Sequence, residues 1–134
     1  MKPYLFLFFA LASFAVVSCS KHTPPDIVGT WMGVEMETYN YTEDGIRYNE
    51  SYYTFWEGER ILIFNDDGTW EEQRDAVTYS GTWELREYGY DEWLLTMKQS
   101  SVTKTFWIGT NGSTLVLTEK INSWHSITRY RRIE

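Results

Sequence analysis

Cys19 is the residue whose type and position indicate the most specific chemistry in this chain. It is the only cysteine among 134 residues, so no internal disulfide can form. It closes a leader in which Lys2 precedes an unbroken apolar and small run from Leu5 to Val17. As a helix that run covers about 20 Å, too short for a hydrocarbon core of about 30 Å, so it is typical of a secretory signal. The stretch Val16–Cys19 matches the end of a bacterial lipoprotein signal, which predicts lipidation of Cys19.

Lipidation at Cys19 predicts attachment to a membrane through more than one acyl chain. A thioether-linked diacylglycerol and an N-acyl chain such as palmitate together give stable anchoring. Ser20 rather than Asp after the cysteine resembles signals that are sorted to the outer membrane, with the periplasmic and surface faces both open. We therefore predict a signal peptide at 1–18, a lipidated tether at 19–26 and a folded domain at 27–134. Ordinary secretion with an incidental free cysteine is the alternative.

Six aromatic residues form the best candidate for a ligand-binding surface. The chain holds seven Trp and ten Tyr, and both residue types are favoured in binding contacts. Tyr48, Tyr52 and Trp56 share one face of an ideal strand, and Tyr53 points the other way. Tyr39 and Tyr41 also share a face. The predicted ligand-binding set is Tyr39, Tyr41, Tyr48, Tyr52, Tyr53 and Trp56.

The abundance of aromatic rings has two functional interpretations and one structural interpretation. The rings could line a cavity for a small apolar molecule, or form an exposed platform that stacks on sugars. Alternatively, a narrow barrel of eight strands needs bulky side chains simply to fill its interior. The sequence leaves these three interpretations open.

Side chains suited to catalysis or metal binding are too few or wrongly spaced. His22 and His125 are the only histidines, and no cysteine can complete a zinc site with them. Glu71 and Glu72 are adjacent in a predicted strand and therefore point to opposite faces. Asn65–Gly68 lacks the alternate spacing of a calcium loop and is better explained as a turn. We predict no enzyme activity, no catalytic residue, no metal site and no cofactor.

The charge balance makes nucleic acid an unfavourable partner. The whole chain carries a formal charge of −7, and loss of Lys2 with the leader makes the mature protein one unit more negative. A protein of this charge repels polyanions and anionic lipid surfaces. The predicted partners are the membrane, through the lipid anchor at Cys19 rather than through charge, and a small hydrophobic ligand or a glycan.

The elements that must position these residues are short strands. Runs rich in Val, Ile, Thr, Tyr, Phe and Trp recur between turn signals, the pattern of an all-β protein. Turns are predicted at Glu57–Glu59, Asn65–Gly68 and Asn111–Gly112. Nine runs joined by short turns predict an antiparallel up-and-down meander, and closure removes its exposed edges. We predict a barrel of eight or nine strands. The clearest single face is Val77, Tyr79, Gly81, Trp83 and Leu85.

Trp31 begins the first predicted strand and is the candidate plug for one end of the barrel. Gly29 lets the chain bend or pack closely, and the large indole ring buries much apolar surface. Trp31 has the wrong parity to share a face with Met32, Val34 and Met36. A bend or bulge near Gly33 is therefore predicted.

Several short motifs resemble one protein family. Ile27–Trp31 is similar to the Gly-x-Trp opening of lipocalins. Together with Ile61–Trp70, Gly81–Leu85 and Tyr130–Ile133, it resembles the small lipocalin-like lipoproteins of Bacteroidota. The resemblance implies a small antiparallel barrel of the lipocalin or calycin type and implies no reaction. In lipocalins an Arg of the last strand packs over the motif Trp, which implies that Arg129 or Arg131 packs over Trp31 at the barrel end.

These observations predict a lipid-anchored lipocalin-like binding protein of the cell envelope, with a small apolar or aromatic ligand. The alternative is a barrel with a filled interior that binds a glycan or a protein through its outer surface. The barrel interior separates the two hypotheses. An open cavity of about 300 Å³ or more favours the first, and a packed interior favours the second.

Overall fold

The computed structural model describes residues 23–134, which form nine β-strands and no helix. The Val-, Ile-, Thr- and aromatic-rich runs adopt strands because branched and aromatic side chains pack well on a pleated surface. The strands are β1 (Gly29–Tyr41), β2 (Arg47–Thr54), β3 (Arg60–Phe64), β4 (Thr69–Arg74), β5 (Val77–Glu87), β6 (Trp93–Gln99), β7 (Val102–Thr110), β8 (Thr114–Ile121) and β9 (Trp124–Arg132).

Eight of these strands close into a barrel. From β1 the hydrogen-bonded order runs β3, β4, β5, β6, β7, β8 and β9, and β9 pairs with β1 to complete the ring. Every pair is antiparallel. The predicted all-β, antiparallel, lipocalin-like barrel is confirmed, with eight strands in the ring and β2 as a ninth strand outside it. We call the end where β1 begins the lower end and the opposite end the upper rim.

The connection between β2 and β3 does not reverse the direction of the chain. Both strands are antiparallel to β1, so they run in the same direction. β2 pairs with the upper part of β1, from Glu35 to Tyr41, and β3 pairs with its first residues, from Gly29 to Met32. The predicted turn at Glu57–Glu59 is present, and the Glu59 N–H donates to the Trp56 carbonyl at 3.1 Å. The expectation that this short link joins antiparallel neighbours is wrong. β1 is 13 residues long, which leaves room for two partners end to end along one edge.

The tight turns at the lower end follow the sequence signals. In Asn65–Gly68 the backbone of Gly68 has φ +85°, a conformation that glycine adopts without steric cost. The Asp67 carboxylate accepts hydrogen bonds from the backbone N–H and the hydroxyl of Thr69. These bonds lower the pKa of Asp67. The hairpin between β3 and β4 is thus fixed by its own side chains, as predicted for a turn.

The apolar core fills the lower half of the barrel. Trp31 is fully buried, and its indole N–H donates to the carbonyl of Ile27 at 2.9 Å. The register of β1 against β9 shifts between Gly33 and Glu35, which confirms the predicted bulge and turns Trp31 inward. The predicted common face of β5 is the inner one, although Val77 at its upper end is 50% exposed. The core comprises Ile27, Trp31, Leu62, Phe64, Trp70, Leu95, Met97, Leu115, Leu117 and Tyr130, with Tyr79, Trp83 and Leu85 packed against it.

Candidate functional site: the barrel cavity

The upper half of the barrel contains a cavity of about 390 Å³. Its lower boundary includes Trp70 and Tyr130, which also belong to the buried core. Val102 lies at the upper rim and is 55% exposed, so the cavity reaches solvent there. A closed lower end and an open upper rim give the interior the form of a cup.

Apolar side chains supply much of the cavity wall. Because strand residues alternate between the two faces of a sheet, each strand presents every second residue to the interior. The alternate positions that face the cavity include large apolar groups from six different strands. They are Met36, Leu62, Trp70, Met97, Phe106 and Leu117. A wall of this kind suits an apolar or aromatic molecule.

One side of the cavity carries an ion-paired cluster. The Glu72 carboxylate is 5% exposed and lies between two guanidinium groups. Arg60 Nε donates to Glu72 Oε2 at 3.2 Å, and Arg74 Nε donates to Glu72 Oε1. Both oxygens of this buried carboxylate therefore have cationic partners, which offsets the cost of removing it from water. Tyr130 lies below this cluster, and its burial raises the pKa of its phenol to about 12.

The opposite side of the cavity is polar and differently arranged. Glu119 on β8 stands directly opposite Ser126 on β9, and both face the cavity. Thr128 and Thr38 extend this polar strip across β9 and β1. Glu119, Ser126 and Thr128 are all buried. The strip brings one carboxylate and three hydroxyl groups together on a wall that is otherwise apolar.

None of the six aromatic residues predicted to bind a ligand lines this cavity. Tyr39 and Tyr41 share a face, as predicted, but it is the outer one, because Thr38 beside them faces inward. Their rings pack with His125 at centroid distances of 4.9–5.3 Å. The guanidinium of Arg47 covers the Tyr39 ring at 3.5 Å. Burial lowers the pKa of His125, as do the charges of Lys120 and Arg47.

The remaining four aromatic residues are exposed, and their faces differ from the prediction. A bulge at Asn49, with φ +54°, places two β2 residues opposite Tyr39. Tyr48 therefore shares the inner side with Tyr53, and Tyr52 lies on the outer side; the predicted common face for Tyr48 and Tyr52 is wrong. Trp56 lies in the β2–β3 connection and is 68% exposed. Whether any of the four binds a ligand stays a prediction.

The arginine over Trp31 is Arg132, which corrects the prediction of Arg129 or Arg131. The guanidinium carbon of Arg132 lies 4.3 Å from the Trp31 ring centroid. Tyr130 faces the interior, and alternation puts Arg132 on the same inner side and the two predicted arginines outside. Arg129 instead pairs with Glu35 at 3.3 Å, and Arg131 lies 3.9 Å from Glu57.

The charged residues of the cavity were not predicted, although the sequence contains a signal for them. Glu72 lies two positions after Trp70, and Glu119 lies two positions after Leu117. A carboxylate that continues the apolar face of a strand is expensive to bury and therefore indicates a specific role. The alternation that identifies the core also identifies these two residues.

Comparison with known proteins leaves the family open. No protein-family model matches the chain, and no curated protein is significantly similar to it in sequence. No helix among residues 23–134 is long and apolar enough to span a membrane. The same part of the chain has no group of three or more His, Cys, Asp and Glu side chains placed to hold a metal ion. The predicted signal peptide and Cys19 lie outside the described residues.

Proposed function

We propose that this protein is a lipocalin-like binding protein that holds a small apolar or aromatic ligand in the barrel cavity. The observation that carries the proposal is the open interior of about 390 Å³. This volume lies within the range of small-molecule sites and above the 300 Å³ or so that separates an open barrel from a filled one. The proposal is for binding without catalysis.

The proposed cellular setting follows from the leader. The signal peptide at 1–18 directs the chain to the cell envelope and is removed, and the lipidated Cys19 anchors the mature protein at the outer membrane. The tether to residue 26 holds the barrel close to the lipid surface, where apolar molecules partition. We further propose that the chain belongs with the small lipocalin-like lipoproteins of Bacteroidota, on the motifs around Trp31, Trp70 and Tyr130.

Binding of a neutral fluorescent probe tests the proposed function. N-phenyl-1-naphthylamine brightens in apolar surroundings, and Trp70 and Trp124 both line the cavity. We expect saturable probe fluorescence together with quenching of the protein's tryptophan emission. A folded protein that neither brightens the probe nor changes its own emission would contradict ligand binding in the barrel.

A second candidate function rests on the exposed aromatic hairpin. Tyr48, Tyr52, Tyr53 and Trp56 are 42–68% exposed around one strand, and clustered exposed rings mark interaction sites. Such a surface suits a glycan or a protein partner. Glycan-array binding that is lost in Tyr52→Ala but retained in a cavity variant supports it. An array without signal removes the glycan form of this hypothesis.

A further inference from the structure

The Glu119 carboxylate faces the cavity from β8 and has no partner within the described chain. Its side chain is 9% exposed and faces the cavity. The carboxylate forms no hydrogen bond and no ion pair with any of residues 23–134, and its oxygens stay accessible to the solvent of the open cavity. The residue directly opposite it, Ser126, is also buried, and its hydroxyl group also lacks a partner within this range.

The contrast with Glu72 shows that this fold can satisfy a buried carboxylate. Glu72 faces the same cavity from β4 and has an arginine on each oxygen. Glu119 is the same residue type at similar burial, and no cation of the described chain reaches it. A ligand that fills the cavity removes water from this carboxylate, and a charge without water is costly unless it is paired. The Glu119 position therefore favours a ligand that brings its own cationic donor.

We propose that the ligand of this cavity is an organic cation, a protonated amine on an apolar or aromatic body. This inference deepens the proposed function and rests on it. The ammonium group binds the Glu119 carboxylate, and the Ser126 and Thr128 hydroxyl oxygens accept its remaining N–H donors. The apolar body packs against Trp70, Leu117 and neighbouring rings.

The charge on the Glu119 wall of the cavity favours a cation over an anion at that wall. An anionic head group beside Glu119 meets a like charge at low dielectric. On the other wall, Arg60 and Arg74 already donate to Glu72. The formal charge of the whole chain is −7, and a negative protein raises the local concentration of cations. Lys104 also lines the cavity, and because it is exposed to solvent, water screens its charge.

Three ligands with one apolar body test the inference. 4-Phenylbutylamine, 4-phenylbutanol and 4-phenylbutyrate differ only in the head group, and each is titrated against bound N-phenyl-1-naphthylamine at about pH 7, where the amine is protonated. We expect the amine to bind about tenfold or more tightly than the alcohol, and the carboxylate to bind weakest.

Glu119→Gln tests the residue assignment. It removes the charge with little change in shape, so we expect the amine to lose about tenfold in affinity and the alcohol to change less than twofold. Glu71→Gln is the matched control, because Glu71 lies on the same barrel but outside, and is exposed. It changes the net charge equally and should leave both affinities unaltered.

The outcomes separate this inference from the proposed function. If the probe binds but the amine has no advantage over the alcohol, the cation assignment is wrong while cavity binding stands. An amine advantage that survives in folded Glu119→Gln is also contrary to the assignment. If Glu119→Gln fails to fold, the order of affinities of the three ligands for the natural protein decides whether the ligand is a cation. A barrel that takes up no probe overturns both proposals.

Discussion

Arg132 holds the lower end of the barrel closed by covering Trp31. Its guanidinium carbon lies 4.3 Å from the indole centroid. The same group donates to the backbone carbonyls of Gly112, Val28 and Asp26 at 2.7–3.1 Å. One side chain therefore joins the end of β9 to the turn before β8 and to the segment that leads into β1.

Replacement of Trp31 should destabilise the protein more than replacement of Arg132. Trp31→Ala leaves a large cavity in the core, so we expect a loss of about 3–5 kcal/mol in the free energy of unfolding. Arg132→Ala should cost about 1–2 kcal/mol, because a cation–π contact and three exposed hydrogen bonds are lost. Arg131→Ala, whose side chain is exposed, is the control. Urea denaturation measures all three, and equal midpoints for Arg131→Ala and Arg132→Ala would contradict this assignment.

Tyr130 should make the protein sensitive to alkaline pH. Burial raises its pKa to about 12, whereas a tyrosine in an unfolded chain titrates near 10. Between these pH values the folded state keeps a proton that the unfolded state releases. The stabilisation is thus fully present below about pH 10 and is lost as the pH rises towards about 12.

Unfolding titrations from about pH 9 to about pH 12 measure this effect. In Tyr130→Phe we expect a flatter decline of stability across that range, because the phenol is gone. The exposed Tyr48, replaced by Phe, is the matched control and should keep the natural slope. Parallel curves for Tyr130→Phe and the natural protein would show that Tyr130 does not set the alkaline limit.

A bulky residue in the cavity should block the ligand without unfolding the barrel. Thr128 faces the cavity, and Thr128→Phe adds a ring to its open space. Ile127→Phe places the same ring one residue earlier, on the outer face opposite Glu37. We expect the first variant to reduce binding of N-phenyl-1-naphthylamine at least tenfold and the second to bind normally. Equal binding by both variants would place the probe outside the cavity.

Lipidation should depend on Cys19. A clickable fatty-acid analogue fed to the expressing bacterium should label the natural protein and not Cys19→Ala. The variant should then leave the membrane fraction, because no acyl chain remains to hold it. Ser18→Ala, which keeps a small residue before the cysteine, is the control and should still be labelled. Labelling of Cys19→Ala at the natural level would contradict the lipoprotein assignment.

Much of the fold could be predicted from the sequence because strand periodicity is a local property. Alternation in Val77–Leu85 identified the inner face of β5, and the parity of Trp31 against Met36 identified the bulge near Gly33. Turns such as the one that contains Gly68 can be predicted without tertiary information, because glycine adopts a positive φ without steric cost. These predictions concern neighbours in the chain, and they were confirmed.

The failures concern relationships between distant segments. The resemblance to lipocalins implies an arginine of the last strand over Trp31, but only the pairing of β9 with β1 shows that Arg129 and Arg131 lie on the outer face. The contact of Arg60 with Glu72 depends on the register of β3 against β4. The sequence of β8 alone shows that Glu119 continues an apolar face. That its carboxylate has no cationic partner can be seen only in the folded barrel.

Because β2 lies outside the closed ring, it can unfold separately from the eight strands of the barrel. Each strand of the ring has two strand neighbours, so none can leave without opening the barrel. β2 contacts only β1 as a strand partner within residues 23–134, and all of its residues are exposed. Its local unfolding therefore needs far less free energy than global unfolding. Mutation can reshape the aromatic surface of β2 while the fold of the cup stays the same.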